Sequence, residues 1–276
     1  MLKTSVATIR NIIGSGAMDS LTICKKDCVT LIAGPCSVES EQQVKSTAKL
    51  IADCGLSWMR GGAFKPRTNP KSFQGLGLSG VDILRDAAHA SGLHCITELV
   101  DAKHIQYLMT HVDAIQIGAR NMMNYELLKE VAIQTAEQKT PILFKRSMAS
   151  TIDEWLQTTQ YLTEHGNDNI VLCERGIRSF ETQTRFTLDI ASVPIVHNKT
   201  NYYIAVDASH PAGDAALVPA LAKAGVAAGA DAIMIEIHPD PASAKSDAQQ
   251  QLSFEQFENL VAELRILCEA LGKTLI

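Results

Sequence analysis

A basic loop at residues 60–77, RGGAFKPRTNPKSFQGLG, has the residue types best suited to binding an anion. It holds four cations and no acid in a chain whose formal net charge is −5. Arg67 and Thr68 place a guanidinium beside a hydroxyl, and arginine binds phosphate oxygens in bidentate fashion. Gly61, Gly62 and Pro66 indicate a shaped backbone rather than a merely solvated one. The loop is therefore expected to hold a phosphate monoester; the alternative is a surface loop that is basic by composition alone.

Cations also recur where short apolar runs of the chain end. Together with two cations of the basic loop, they form a set of five: Arg60, Lys65, Arg120, Lys145 and Arg175. Burying a charged group costs on the order of several kcal/mol unless a counter-charge compensates it. Five cations gathered in one place would therefore indicate one polyanionic ligand or two. Taken singly, each cation could equally be a partner in a structural salt bridge.

A second set of residues offers the donor atoms of a metal site: Cys36, His210, Glu236 and Asp247. Mixed sulfur, nitrogen and oxygen ligands suit a divalent Mn, Fe, Co or Zn ion better than Mg²⁺. No CxxC or HExxH spacing supports the set, so Cys36 could be a small core residue and Asp247 could cap a turn. His238 competes with His210, and the sequence alone does not separate the two.

The elements that would position these residues follow a repeating pattern. Helical spacing at residues 42–54, 124–138, 152–165 and 217–228 alternates with eight apolar, β-rich runs, at 29–33, 56–59, 93–97, 114–117, 142–145, 170–173, 203–206 and 232–235. This alternation predicts an α/β fold, a (β/α)8 TIM barrel, whose active site lies at the carboxyl ends of the strands. An open doubly wound sheet is the alternative, but no glycine-rich dinucleotide fingerprint follows the first run. All eight runs end in polar residues, so the barrel would collect both sets on one rim.

The length of the chain suits a single domain. Its 276 residues are 46% hydrophobic and 20% charged, and barrels of about 250 residues fold as one unit. We expect one barrel catalytic domain over residues 1–276 and no regulatory domain. Residues 1–28, with Gly14-Ser15-Gly16 at a turn, would form a short N-terminal hairpin or cap.

Composition also excludes several classes of protein. No apolar run reaches the roughly 18 residues of a membrane span, and no secretory signal precedes the first strand. The seven cysteines are scattered without a disulfide pattern, which is typical of reduced thiols in a cytoplasmic protein. The net negative charge argues against a general nucleic-acid binder.

Seven blocks of the sequence resemble the signatures of one enzyme family. They are LIAGPCSVES (31–40), RGGAFKPRTNPKSFQGLG (60–77), QIGARNM (116–122), LFKRSM (143–148), LCERGIR (172–178), VDASH (206–210) and IEIHPDPASAKSDAQQQL (235–252). The resemblance is to the type I beta group of 3-deoxy-D-arabino-heptulosonate 7-phosphate (DAHP) synthases. It implies a TIM barrel that condenses phosphoenolpyruvate with erythrose 4-phosphate and releases phosphate, the first step of the shikimate pathway. It also implies a homodimer or homotetramer.

The resemblance assigns roles to the residues already selected. It implies that Cys36, His210, Glu236 and Asp247 hold the divalent metal, and that Lys65, Cys36 and His210 are the catalytic residues. Phosphoenolpyruvate would be bound by Arg60, Lys65, Arg120, Lys145 and Arg175, and the phosphate of the aldose by Arg67 and Thr68. His238 would support the site rather than ligate the metal, and Ser37, Glu98 and Asp207 would contact ligands or substrate.

Two features bear on the choice of aldose. Lys65-Pro66-Arg67-Thr68 stands where the related 3-deoxy-D-manno-octulosonate 8-phosphate synthases carry a KANR-type segment, which favours the four-carbon aldose. Residues 211–216, PAGDAA, depart from the Gly-Arg-Arg run common in the type I beta group, and the lost cations would alter substrate affinity or aldose choice. A sister synthase using another aldose, such as arabinose 5-phosphate, and a non-catalytic metabolite-binding paralogue are the alternatives.

Overall fold

A computed structural model describes residues 21–67 and 69–276 of the chain. In this part, eight parallel strands form a ring in which β1 pairs with both β2 and β8. The strands are β1 (Cys28–Gly34), β2 (Trp58–Arg60), β3 (His94–Leu99), β4 (Ala114–Ile117), β5 (Ile142–Lys145), β6 (Ile170–Glu174), β7 (Tyr203–Asp207) and β8 (Ala232–Glu236). The predicted (β/α)8 barrel is confirmed, and every predicted strand overlaps an observed one.

Helices surround the barrel. They are α1 (Glu41–Asp53), α2 (Leu78–Ala90), α3 (Ile105–His111), α4 (Tyr125–Thr135), α5 (Ile152–Thr163), α6 (Ser192–Lys199), α7 (Ser209–Ala212), α8 (Val218–Ala227) and α9 (Phe254–Ala270). The four segments predicted from helical spacing match α1, α4, α5 and α8 to within three residues at each end. Several helices begin at capping residues; at α5, for example, Thr151 and Glu154 satisfy each other's backbone N–H groups. These caps fix where the chain leaves each loop of the rim.

One strand was not predicted from the sequence. The two-residue β9 (Thr274–Leu275) pairs in parallel with the start of β1, outside the ring. A strand of two residues is too short to show the alternation on which strand prediction rests. It attaches the end of the chain to the first strand and takes no part in the rim.

The barrel is packed on both faces of its sheet, as parallel sheets require. Inside it, Ile32, Ile96 and Leu143 pack with Ile23, which closes the end where the strands begin. Thr30 Oγ1 donates a hydrogen bond of 2.8 Å to the Ile23 carbonyl and holds Ile23 in this position. A larger apolar cluster lies between the strands and the helices. These side chains fill the barrel at this end, and the cavity lined by Arg60 and Lys145 opens at the opposite rim.

Part of the predicted N-terminal arrangement cannot be compared with the structure. Residues 1–20, which contain Gly14-Ser15-Gly16, lie outside the described residues, so the hairpin or cap over residues 1–28 stays a prediction. Within the described residues, no helix has both the length and the apolar character needed to cross a bilayer.

Candidate active site

A basic cavity opens at the carboxyl ends of the strands. Arg60 ends β2, Lys145 ends β5 and Arg175 follows β6, so the barrel geometry directs all three into one space. Lys65 and Arg67 enter the same space from the basic loop. The cavity is lined by Arg60, Lys65, Arg67, Glu98, Gln116, Arg120, Lys145, Arg175, Arg185, His210 and Asp247, among others. The structure thus brings together all five cations selected from the sequence.

The cations differ in how far the protein compensates them. Arg60 Nη1 lies 3.0 Å from Glu236 Oε1, and Lys145 is paired with Asp207. Among the described residues, Arg175 and Arg120 form no salt bridge with a carboxylate. Arg175 is only 5% exposed, donates to the Gly176 carbonyl at 3.3 Å and stacks on the Phe186 ring. Burial lowers the pKa of Arg175 even though Asp207 and Glu174 lie near enough to oppose the shift, and a buried guanidinium without a salt bridge suits an anionic ligand.

The four predicted metal ligands converge at one side of this cavity. Donor atoms of Cys36, Glu236 and Asp247 lie within 4.8 Å of one another, with Cys36 Sγ 3.2 Å from Asp247 Oδ2. His210 Nε2 lies 3.6 Å from Glu236 Oε1, next to this group of three. Asp247 has a left-handed backbone, with φ 48° and ψ 41°, which is uncommon for a residue other than glycine. Such a conformation at a site of this kind indicates that the surrounding structure fixes the position of the Asp247 carboxylate.

His238, the competitor of His210, lies elsewhere. Its Nδ1 accepts a hydrogen bond of 3.1 Å from the Asp240 N–H, and its Nε2 lies 3.7 Å from Glu39 Oε2. His238 also borders a separate surface cavity rather than the basic one. The structure therefore separates the two histidines: His210 lies beside the donor group and His238 does not.

The protonation states of the group fit a borderline divalent ion. Burial, with Glu236 nearby, raises the pKa of the Cys36 thiol to about 12. Burial lowers the pKa of His210, so its imidazole is neutral at pH 7. Burial opposes the ionisation of Asp247, yet the Arg185 guanidinium, the strongest opposing charge, helps to hold its pKa at about 2. The site thus offers a neutral nitrogen, carboxylates and a thiol whose proton a bound ion would displace.

Lys65 connects the metal donors to the cation cluster. Its Nζ donates to the Cys36 carbonyl at 2.9 Å and to Cys36 Sγ at 3.1 Å. Burial disfavours its charge, but interaction with Cys36 raises the pKa of Lys65 above its ordinary value. A Cβ at Gly62 would lie 2.5 Å from the Cys36 carbonyl oxygen and 2.9 Å from Lys65 Cδ. The structure confirms that this glycine shapes the backbone, since only glycine leaves room for the lysine.

Two residues that connect to Glu236 were not selected from the sequence. Arg185 Nη1 donates to Gln250 Oε1 at 2.8 Å, and Gln250 Nε2 donates to Glu236 Oε2 at 2.6 Å. Because arginine can only donate, it fixes which end of the amide faces Glu236. Arg185 follows β6 by several residues, and Gln250 carries no charge, so neither had a signal at a strand end. Gln250 lies within the block at 235–252, which was its only signal.

The remaining candidate residues either line the cavity or contact residues that line it. Arg67 Nη1 lies 3.8 Å from Asp247 Oδ1 at the cavity mouth, while Thr68 lies outside the described residues. Asp207 Oδ2 lies 2.7 Å from His210 Nδ1, off the line of a good hydrogen bond, and also pairs with Lys145. Glu98 lines the cavity, whereas Ser37 is buried against Glu39.

Comparisons with known proteins agree with this geometry. Residues 11–270 match the model of the DAHP synthetase I family. A phospho-2-dehydro-3-deoxyheptonate aldolase of Thermotoga maritima is 45% identical over 243 residues, which cover 88% of this chain and 71% of that protein. A 2-dehydro-3-deoxyphosphooctonate aldolase of Caulobacter vibrioides is 30% identical, with 86% of each chain covered.

Solved structures give the same result. A crystal structure of phospho-2-dehydro-3-deoxyheptonate aldolase from Thermotoga maritima has a TM-score of 0.88 at 43% identity, covering 92% of this chain and 73% of that one. A truncated 3-deoxy-D-arabino-heptulosonate 7-phosphate synthase from the same organism has a TM-score of 0.84 at 40% identity, with 92% and 91% covered. The barrel, its basic rim and these similarities together show that this chain belongs to the DAHP synthetase I family.

Proposed function

We propose that this protein condenses phosphoenolpyruvate with erythrose 4-phosphate, giving 3-deoxy-D-arabino-heptulosonate 7-phosphate and inorganic phosphate. This is the first step of the shikimate pathway, which leads to the aromatic amino acids. The observation that carries the proposal is the pair Arg120 and Arg175, which line the cavity without a described carboxylate partner, beside Lys145 and the metal donor group. Arg175 is buried, so its charge calls for a compensating anion, whereas Arg120 lines the same cavity with its side chain exposed. In this proposal the anion is the phosphorylated acid that the family uses as its donor substrate.

Phosphoenolpyruvate carries its charge at both ends, on a carboxylate and a phosphate. Five cations line one cavity and can divide between the two groups: Arg60, Lys65, Arg120, Lys145 and Arg175. Arg60 and Lys145 are held in place by Glu236 and Asp207, so they are already oriented before a ligand arrives. Such preorganised charge binds the donor and stabilises the charge that shifts onto its phosphate during reaction.

A divalent ion completes the proposed site. Members of the family are generally metal-dependent, and the described chain holds a suitable donor group. Cys36, His210, Glu236 and Asp247 would bind the ion, and their mixed donors favour Mn, Fe, Co or Zn. When bound, such an ion supplies Lewis acidity that can polarise an aldehyde oxygen. Asp207 beside His210 Nδ1 leaves Nε2 free to face the ion.

The reaction forms one carbon–carbon bond and exchanges one carbon–oxygen bond at C2, where an oxygen from water replaces the phosphate oxygen. Of the two protons of that water, one ends on the former aldehyde oxygen and the other leaves with phosphate. C3 of phosphoenolpyruvate attacks the aldehyde carbon, water adds at C2, and the C2–O bond to phosphate then breaks. The aldehyde oxygen gains a proton and C2 becomes the ketone of the product. Lys65 is partly buried and its pKa is raised, so it enters the reaction protonated and can donate to a reacting oxygen. The guanidinium groups hold the two anions close together, which lowers the entropic part of the barrier.

The acceptor is recognised by the basic loop in this proposal. Arg67 lies at the cavity mouth beside Asp247, and we assign the aldose phosphate to Arg67 and Thr68. Phosphate release from phosphoenolpyruvate, measured with erythrose 4-phosphate and then with arabinose 5-phosphate, tests the assignment. We expect turnover with the four-carbon sugar. Turnover only with arabinose 5-phosphate would instead support the octulosonate reaction, and turnover with neither would contradict a synthase.

The remaining expectations rest on family membership. We propose a cytoplasmic homodimer or homotetramer whose barrel is its catalytic domain, and sedimentation velocity at several concentrations would measure the assembly. All seven cysteines lie in the described part of the chain and carry free thiols, which agrees with a reducing compartment. The reaction needs no nucleic acid and no membrane.

A further inference from the structure

A second cluster of metal-binding side chains lies at the other end of the barrel, where the strands begin. His89 stands near the end of α2, Cys95 is the second residue of β3, and Asp113 immediately precedes β4. One donor atom from each of the three lies within 4.8 Å of the others. None of them lines the basic cavity, and the proposed synthase reaction uses none of them.

Asp113 is the centre of this cluster. Its Oδ2 lies 2.9 Å from His89 Nε2 and accepts a hydrogen bond of 2.8 Å from the Cys95 backbone N–H. Its other oxygen, Oδ1, lies 3.5 Å from His94 Nδ1. Neighbouring groups therefore hold both oxygens of the Asp113 carboxylate in place. Carboxylates that bind metal ions in proteins are commonly oriented in this way.

The same barrel contains a copy of this arrangement without the thiol. Near β7, His197 Nε2 lies 2.9 Å from Asp231 Oδ2, and the Ile204 N–H donates to the same oxygen at 2.9 Å. A histidine and an aspartate are thus enough to join a helix to two strands. In the copy near β3, Cys95 takes the place of Ile204 and His94 that of Tyr203. The clamp, meaning the histidine–aspartate pair that joins the helix to the strands, forms near β7 without a cysteine or a second histidine. A metal site, in contrast, needs such additional side chains.

We propose that His89, Cys95 and Asp113 form a second metal site that binds one borderline or soft divalent ion, such as Zn²⁺ or Cd²⁺. A thiolate and a carboxylate would neutralise the ion, and the carboxyl end of α2 favours a cation. Ligand atoms around such an ion lie about 3.3–3.7 Å apart, given metal–ligand distances near 2.0–2.3 Å. The His89 side chain is nearly half exposed, so its Nε2 can move the ~1 Å needed to reach these distances. Water would occupy the fourth ligand position of the ion.

The ion would act on the structure rather than on the reaction. It would join α2 to the starts of β3 and β4, on the face of the barrel that serves stability. Burial, with Asp113 nearby, raises the pKa of the Cys95 thiol above its ordinary value, so this sulfur keeps its proton when no ion is bound. A metal–thiolate absorption band from Cys95 therefore reports ion binding and nothing else.

The experiment uses a Cys36→Ser background, which removes the thiolate of the active-site group. Titration with Cd²⁺, followed by ultraviolet cadmium–thiolate absorption, should show one thiolate-bound ion per chain. Adding Cys95→Ser should abolish the band, whereas adding Cys54→Ser, at a partly exposed cysteine outside the cluster, should preserve it. Circular dichroism on each variant confirms that it is folded.

A matched pair of histidine variants tests the site independently of the thiol. In the same background, His89→Ala should weaken Cd²⁺ binding at least about tenfold, since it removes a ligand. His197→Ala, in the clamp without a cysteine, should leave the affinity unchanged. A band that survives Cys95→Ser, or equal affinities for the two histidine variants, would overturn the second site. Neither result would affect the proposed synthase activity, whose residues lie on the opposite rim.

Discussion

Lys65 Nζ lies 3.1 Å from Cys36 Sγ, so a partly buried cation contacts the thiol of the metal donor group. The lysine also lines the basic cavity, and it therefore belongs to both halves of the proposed site. An ion that converts the thiol into a bound thiolate changes the partner of this ammonium group. Metal binding and donor binding should consequently influence each other through Lys65.

Lys65→Met tests the role of this cation. The variant keeps most of the side-chain volume but removes the charge, so we expect kcat to fall by about 10²–10³-fold, as when one preorganised donor is lost. Lys71→Met is the control, because Lys71 lies in the same loop with its side chain exposed. Steady-state rates at saturating substrates measure both. Equal rates for the two variants would show that Lys65 has no special part in the reaction.

Arg175→Gln should separate function from stability. Loss of a charged hydrogen-bonding group should weaken phosphoenolpyruvate binding by about 10- to 100-fold. The same change removes a buried cation that lacks a described carboxylate partner, so the ligand-free variant should unfold at a higher temperature than the unaltered protein. Calorimetric titration and thermal unfolding measure the two effects.

Arg178→Gln serves as the control for Arg175, because its side chain is exposed beyond the rim. It should change neither the affinity for phosphoenolpyruvate nor the unfolding temperature. If Arg175→Gln lowered the unfolding temperature while binding stayed intact, Arg175 would be a structural residue instead.

Metal binding should release one proton. With a pKa of about 12 the Cys36 thiol is protonated at pH 7, whereas His210 is already neutral and the pKa values of Glu236 and Asp247 are lowered. The ion must displace the thiol proton, so its affinity rises with pH, by about tenfold per unit around neutrality. Calorimetry in buffers of different ionisation enthalpy counts the protons. Cys36→Ser should release close to none, and proton-free binding by the unaltered protein would exclude Cys36 as a ligand.

Gln250→Leu tests the connection between Arg185 and Glu236. Leucine has a similar size but cannot donate to Glu236 Oε2, so the ligand loses its orientation. We expect metal affinity to fall by about 10- to 100-fold, the usual cost of removing a group that positions a ligand. Gln249→Leu alters an exposed neighbour and should bind metal normally. Equal metal affinities of Gln250→Leu and the unaltered protein would exclude this positioning role.

The sequence predicts the barrel well because its signal is local and repeated. Strands buried on both faces appear as short apolar runs, and polar residues mark where each run ends. The position of Arg60, Lys145 and Arg175 on one rim follows from that topology alone. Strand β9 escaped prediction because two residues carry no periodicity, and its pairing with β1 depends on the folded chain.

The details of the site depend on distances that no spacing reveals. His210 and His238 both follow apolar runs, and only the folded chain shows which of them faces Glu236. Arg185 reaches the rim from within a long loop, so its place cannot be inferred from a strand end. The second cluster brings together residues from α2, β3 and the start of β4, whose separate positions gave no hint of a shared site.

The fate of the carbon atoms tests the proposed synthase most directly. Phosphoenolpyruvate labelled with carbon-13 at C3 would be incubated with erythrose 4-phosphate and the metal-loaded protein, and the products followed by nuclear magnetic resonance. The proposal predicts a seven-carbon sugar acid with the label in its C3 methylene, formed in step with phosphate. Labelled pyruvate released with phosphate, and no new carbon–carbon bond, would contradict it.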